Sequence, residues 1–260
     1  MAIRLKSFRT VRTTMLLVFA LPIAARGGLY AVEDHPRSWR EANWSSTGLL
    51  PKAAEDRDAR VLVFAARTGG WRGIFAVHTW IVVKPQNAAA YTRYDVMGFG
   101  QPVRVNLHAP DAFWFSDRPQ IVADVHGERA ASAIPKIEAA VKNYPYAAYG
   151  SYRMWPGPNS NTFTAAVLRA APELQVAMPP EAVGRDFRAD GAIVGLTASR
   201  TGVEVSLYGL LGAKLGWVEG IELDVMGLVA GLDLRHPALK IPGFGRLGVD
   251  VVPVDTANAR

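Results

Sequence analysis

The chain contains no cysteine. That absence excludes disulfides, thiolate metal sites, a cysteine nucleophile and a lipid-modified N-terminal cysteine. It does not decide the compartment, because exported proteins also fold without disulfides. Histidine is scarce as well, with five residues: His35, His78, His108, His126 and His236. None belongs to an HxH or HExxH pattern, so a metal site would need residues remote in sequence to converge. No metal and no cofactor is expected.

Excess charge is also scarce once it is located. The formal net charge is +6, and Arg4, Lys6, Arg9 and Arg12 supply four of those six in a leader that holds no acid. No Lys/Arg block or basic stripe with interleaved aromatics remains, which argues against nucleic acid as a partner. Half the residues are hydrophobic and a fifth are charged over 260 residues, enough for one large domain or two small ones and ordinary for a globular fold.

The apolar run at residues 15–25 (MLLVFALPIAA) is short for a membrane span, which needs about 20 apolar residues. After a basic segment it has the form of a secretory signal. Cleavage after Ala25 is one outcome. Continuation of apolar character through Val32 would instead leave an uncleaved anchor. Either way residues 1–32 imply export, with the body periplasmic or tethered to the inner membrane.

Residues 33–58 read as a polar lead-in carrying Trp39 and Trp44. Strand patterning then begins at residues 60–67 (RVLVFAAR) and 74–83 (IFAVHTWIVV), joined through a glycine-rich connection. Two further strands are expected at residues 91–97 and 102–107. A helix is expected at about 128–143, where Ile134, Ile137, Val141 and Tyr144 share one face, with Pro135 kinking or starting it. A second helix should begin near Asn161 after a run of turn formers, and stop at Pro172. From about residue 190 to 250 apolar and polar residues alternate between glycines, which predicts an antiparallel meander. The fold class expected is therefore α+β: an antiparallel sheet with two main helices over residues 33–185, and a glycine-rich β-hairpin extension over 186–260 packed on the same body.

Chemistry can be placed at two points. His78 lies mid-strand in an apolar run, where an imidazole takes its pKa from its surroundings. Ser160 lies at a helix N-terminus, where unpaired backbone N–H groups can form an oxyanion site. Each also has a plain structural reading, a core histidine and a helix cap.

His78-Thr79-Trp80-Ile81, the Tyr149–Arg153 segment, Trp155-Pro156-Gly157-Pro158-Asn159-Ser160-Asn161-Thr162-Phe163 and the glycine-rich stretch beginning at Gly220 together resemble an uncharacterised bacterial family, a domain of unknown function. The resemblance runs from about Trp39 to Gly248 and implies no activity. More remotely, the element order is similar to the circularly permuted papain-like proteins, which include NlpC-related hydrolases and lecithin:retinol acyltransferase-like enzymes. That similarity implies a permuted papain-like core with the strand histidine at His78, and with Ser160 where those proteins carry cysteine. It implies a third polar residue on the next strand, for which Asp95 is best placed and Tyr94 second.

Serine needs closer contact with its base than cysteine does, because its proton must leave during attack. Two readings of the Ser160 site stay open. One is a serine-variant hydrolase or acyltransferase acting on an amide or ester in the envelope. The other is a pocket that binds a cell-wall fragment, lipid or lipoprotein without turnover, using Asn159, Asn161, Thr162, Tyr149, Tyr152, Trp155 and Trp80. A third places the hairpins in an envelope assembly or against a membrane.

Overall fold

A computed structural model describes residue 10 and residues 12–248. The leader arginines and lysine before residue 10, and the chain after 248, lie outside the described residues. The architecture is α+β, with two antiparallel sheets and, fully within the described residues, three α-helices.

The first sheet has the order β4-β3-β2-β1-β5. β1 (Arg60–Arg67) and β2 (Val77–Lys84) are two of its inner strands and are buried along nearly their whole length. Strands covered on both faces read as continuous apolar runs rather than alternations, and RVLVFAAR is such a run. One face carries Val61, Val63, Ile81 and Val83 against helices α2 (Gly127–Lys142) and α3 (Ser160–Ala170). The other carries Leu62, Phe64, Trp80 and Val82 against Trp114 and the lead-in residues Trp44, Leu49 and Leu50. The indole of Trp44 thus pins the lead-in to the body, while Trp39 stays exposed.

β3 (Thr92–Val96) and β4 (Val103–Val105) lie within the expected segments. β2 starts three residues later than its pattern suggested, because residues Gly70–Ile74 form a 3-10 turn. β5 (Gln120–His126), an edge strand bound to β1 and anchored by the Arg60–Asp124 ion pair (2.5 Å), was not legible in the sequence. Helix α2 carries Pro135 in its interior rather than starting there.

The second sheet is a seven-stranded meander: β6 (Val194–Leu196), β7 (Gly202–Leu207), β8 (Leu211–Gly216), β9 (Gly220–Val225), β10 (Leu228–Asp233), β11 (Ala238–Ile241) and β12 (Gly245–Gly248). Its registers align one row of seven aliphatic side chains across all seven strands: Leu196, Val203, Leu215, Ile221, Leu232, Leu239 and Leu247. The neighbouring row on the opposite face runs Glu204, Lys214, Glu222, Gly231, Lys240 and Arg246. The charged row is the one turned inward, and the aliphatic row is exposed to the last member.

This polarity is the reverse of an ordinary half-buried sheet. The inward charges are matched by partners from α3 and the segment after it. Arg169 and Arg188 each meet Glu204 at 2.6 Å, Arg185 and Lys240 each meet Glu222 at 2.5 Å, and Lys214 pairs with Asp186. Gly220, at φ +76°, turns the chain where an added Cβ would lie 2.1 Å from the Leu232 carbonyl oxygen.

At the N-terminus a π turn (Leu16–Ala20) leads into α1 (Leu21–Val32), and the span Arg12–Val32 is long and apolar enough to cross a membrane. A signal sequence has the same character. The helix docks lengthwise: Phe19, Ile23, Gly27 and Tyr30 face the body, while Leu17, Leu21 and Val32 are exposed. The π turn packs against β10.

Candidate functional site

The α3 N-terminus is built by its own sequence. Asn159 is the N-cap, and its Oδ1 accepts from the Asn161 and Thr162 N–H groups at 2.9 and 3.1 Å. Thr162 Oγ1 accepts from the Asn159 N–H at 3.1 Å and donates to the Gly184 carbonyl at 2.7 Å. This reciprocal capping box satisfies donors that a helix start leaves open. Gly184 sits at φ +95°, and an added Cβ would lie 2.2 Å from the Asn159 amide, so the cap requires glycine there. Before the cap, the Trp155–Pro156 and Gly157–Pro158 peptides are both cis.

Asn161 fastens α3 to the first sheet. Its Oδ1 accepts from the Thr79 hydroxyl at 2.8 Å, and its Nδ2 donates to the carbonyls of Val77 and Val183 at 2.9 and 2.8 Å. Asn159, Asn161 and Thr162 are therefore committed to holding the helix start. Ser160 differs from them: neither its hydroxyl nor its N–H makes a hydrogen bond among the described residues. The oxyanion site expected from the 160–162 amides shrinks to the Ser160 N–H, since Asn159 occupies the other two.

His78 stands one residue into β2. Its ring lies flat on the Trp114 indole, with centroids 3.7 Å apart and planes within 3°, and its Nε2 is buried with no partner. Burial holds its pKa well below the ordinary value for histidine, and the positive charges of Arg93 and His108 push the same way. The imidazole is neutral at physiological pH.

Asp95 does not take the orienting role expected of it. Its Oδ2 accepts from Arg93 Nε at 2.6 Å, and it makes no hydrogen bond to His78. Arg93 in turn stacks over Trp80 at 4.1 Å and donates to the Ala109 carbonyl at 2.9 Å. Burial raises the Asp95 pKa despite the guanidinium beside it. The alternative third residue, Tyr94, lies on the other face of β3, packed against the helix-side core.

His78 and Ser160 line one cavity of about 700 Å³, although no hydrogen bond joins them. Its walls are largely apolar: Trp71, Phe75 and Val77 from the 70–77 segment, Trp114 and Phe115, Met154, Val183, Leu228 of the meander and Ile23 of α1. Tyr152, Trp155, Asn159 and Asn161 also line it. The other expected binding residues lie elsewhere. Trp80 is fully buried in the core beneath Arg93, Thr162 is buried in the cap, and Tyr149 is 77% exposed outside the cavity.

Trp114, Phe115, Met226 and Leu228 were missed, because wall residues drawn from segments remote in sequence share no local pattern. Asp117 and Trp114, joined by reciprocal backbone hydrogen bonds of 2.9 and 3.0 Å, form the tight turn that presents the Trp114 indole to His78. No group of three or more His, Asp or Glu residues is placed to hold a metal ion among the described residues.

Residues 58–187 match the family model described as "Protein of unknown function (DUF3750)". The matched segment contains the first sheet, α2, α3, His78 and the whole capping box. It ends before the meander, short of the extent that the motif resemblance suggested. No curated protein and no solved structure matches the chain. With half its length covered, and with that half holding the cavity's polar residues, the chain belongs to the DUF3750 family of proteins of unknown function.

Proposed function

We propose that this protein is an envelope protein that binds an apolar, carbonyl-bearing ligand of the acyl-chain type in the cavity between β2 and the α3 N-terminus. The observation that carries this reading is the pairing of an unbonded Ser160 hydroxyl and N–H with a cavity whose other walls are mainly aromatic and aliphatic. Concave, mostly apolar sites with a few convergent polar groups are the usual form of small-molecule sites. A carbonyl or carboxyl group on the ligand would accept from Ser160 while its chain displaced water from the indoles. Export, with the body held at the outer side of the inner membrane or released to the periplasm, is supported by the apolar helix following a basic leader.

Trp71, Trp114 and Trp155 line the cavity, so their fluorescence reports occupancy. Titration of the full chain in mild detergent with a doxyl-labelled long-chain fatty acid should quench them saturably. Ser160→Ala should weaken that binding about tenfold, the equivalent of one hydrogen bond of about 1.4 kcal/mol. Quenching that does not saturate, or that ignores Ser160→Ala, would sink the reading.

A second reading, turnover by a serine-variant hydrolase or acyltransferase, is favoured by the neutral imidazole and free hydroxyl in one cavity. Against it stand the missing His78–Ser160 hydrogen bond and the engagement of Asp95 by Arg93. Fluorophosphonates modify only activated serines. A covalent adduct at Ser160 that His78→Gln abolishes would establish turnover chemistry, and an unmodified Ser160 would dismiss it.

A further inference from the structure

We propose that the outer face of the β6–β12 meander, together with the exposed side of the N-terminal helix, seats against a phospholipid bilayer. The inference stands apart from the cavity reading and does not need it.

The first observation is polarity. Every outward position of β6 to β10 is Val, Leu, Ile or Ala, and the acidic and basic residues of those strands point inward, Glu204, Lys214, Glu222 and Asp233 into ion pairs. Soluble sheets alternate the other way, whereas lipid-facing sheets place apolar residues outward and polar residues inward. The face spans six strand spacings of about 4.8 Å and strands of up to six residues at about 3.3 Å each, on the order of 500 Å². Contiguous apolar patches of that size on a monomer mark an interaction surface.

The second observation is continuity. The π turn at Leu16–Ala20 packs against β10, and Ile23 of α1 and Leu228 of β10's outward side line one cavity. The exposed stripe of an apolar helix long enough to span a membrane therefore adjoins the apolar face. A second copy of the chain fits the face less well. A stable protein interface takes about 800 Å² per partner and about one hydrogen bond per 100–200 Å², and this face offers no side-chain donor or acceptor on β6 to β10.

The sheet's open edges decide how it sits. Unpaired backbone groups on β6 and β12 cannot enter hydrocarbon, so the sheet lies flat with its edges at headgroup depth. Tyr208 and Trp217, exposed at turns on opposite ends of β8, are suited to anchoring in that interfacial layer.

The cysteine-free chain allows a direct test. Val205→Cys, Leu215→Cys and Leu223→Cys, and Lys52→Cys as a reference on an exposed loop, are each labelled with a polarity-sensitive fluorophore. The full-length protein is reconstituted in phosphatidylethanolamine/phosphatidylglycerol vesicles, so the helix is present in every sample and attachment through it does not score. Blue-shifted emission at positions 205, 215 and 223, with most of it lost to doxyl-labelled lipid, is expected, and neither change at 52. Water-like, unquenched emission at the three face positions overturns the proposal. So does dry but lipid-insensitive emission accompanied by disulfide crosslinking of unlabelled Leu215→Cys, which assigns the face to a second copy.

Discussion

At the residue scale, the α3 entrance separates neighbours that the sequence presents as equals. In Asn159-Ser160-Asn161-Thr162 all four side chains are polar and all are buried, yet three are bonded into the scaffold and one is not. Asn159→Ala removes the cap acceptor of two backbone N–H groups and the donor to the Met154 carbonyl. An N-cap loss of about 1 kcal/mol and the stranding of a buried polar group at about 1–3 kcal/mol put the expected cost at about 2–4 kcal/mol. Ser160→Ala breaks no hydrogen bond and should change stability by no more than about 0.5 kcal/mol. Urea unfolding of the two variants checks the contrast, and equal costs would refute the division of labour. The same logic applies to His78: a buried imidazole with an unpartnered Nε2 is not explained by core packing alone.

At the element scale, the meander is held to the body by charge rather than by an apolar face. Lys214 sits between Asp186, Glu204 (3.8 Å) and Glu222 (4.0 Å). Removing one member of a buried ion network leaves its partners uncompensated, at about 3–5 kcal/mol. Lys214→Met should therefore destabilise the fold by that amount, although it makes the chain more hydrophobic. Leu215→Thr, one residue on and facing outward, should cost no more than about 0.5 kcal/mol in the same urea titration. An ordinary amphipathic sheet would give the opposite ranking, so the pair of measurements tests the orientation directly.

At the scale of the whole molecule, the inward charges make stability depend on pH. Burial and the neighbouring Asp186 carboxylate push the Asp224 pKa up to about 8, while Lys214 and Arg185 hold Asp186 well below the carboxylate range. Between the ordinary carboxyl value and about 8 the folded state carries a proton on Asp224 that the unfolded chain has released. Its contribution to stability is therefore complete in acid and is lost as pH rises through about 8. His78 acts in the other direction. Its depressed pKa means that its contribution is present above the ordinary histidine value and is lost as pH falls. Comparing wild type with Asp224→Asn isolates the first effect: the wild-type urea midpoint should fall relative to the variant between pH 5 and pH 8. Parallel pH profiles would refute the protonation of Asp224 in the folded state.

The limits of the sequence follow from the range of the forces involved. Local pattern was enough for β1, β3 and β4, for α2, for the turn-rich entrance of α3 (though not for which residue caps it) and for the strand period of the meander, because each is set by residues within a few positions of one another. β5 was not legible: a short edge strand after Pro119 owes its place to pairing with β1, some sixty residues earlier. Asp95 looked like a partner for His78 because the next strand is where such a residue would stand. Arg93, two residues earlier on the same face of β3, takes its carboxylate instead, a local pairing that the strand period of two allows.

The cavity likewise draws on segments as far apart as Ile23 and Leu228. The largest decision left to tertiary structure was which side of the meander faces in. Alternation in sequence states that two faces differ, and it is symmetrical as to which is covered. Arg169, Arg185, Asp186 and Arg188, carried on α3 and the chain after it, supply opposite charges to one face only, and so the polar side is buried and the aliphatic side is left outward.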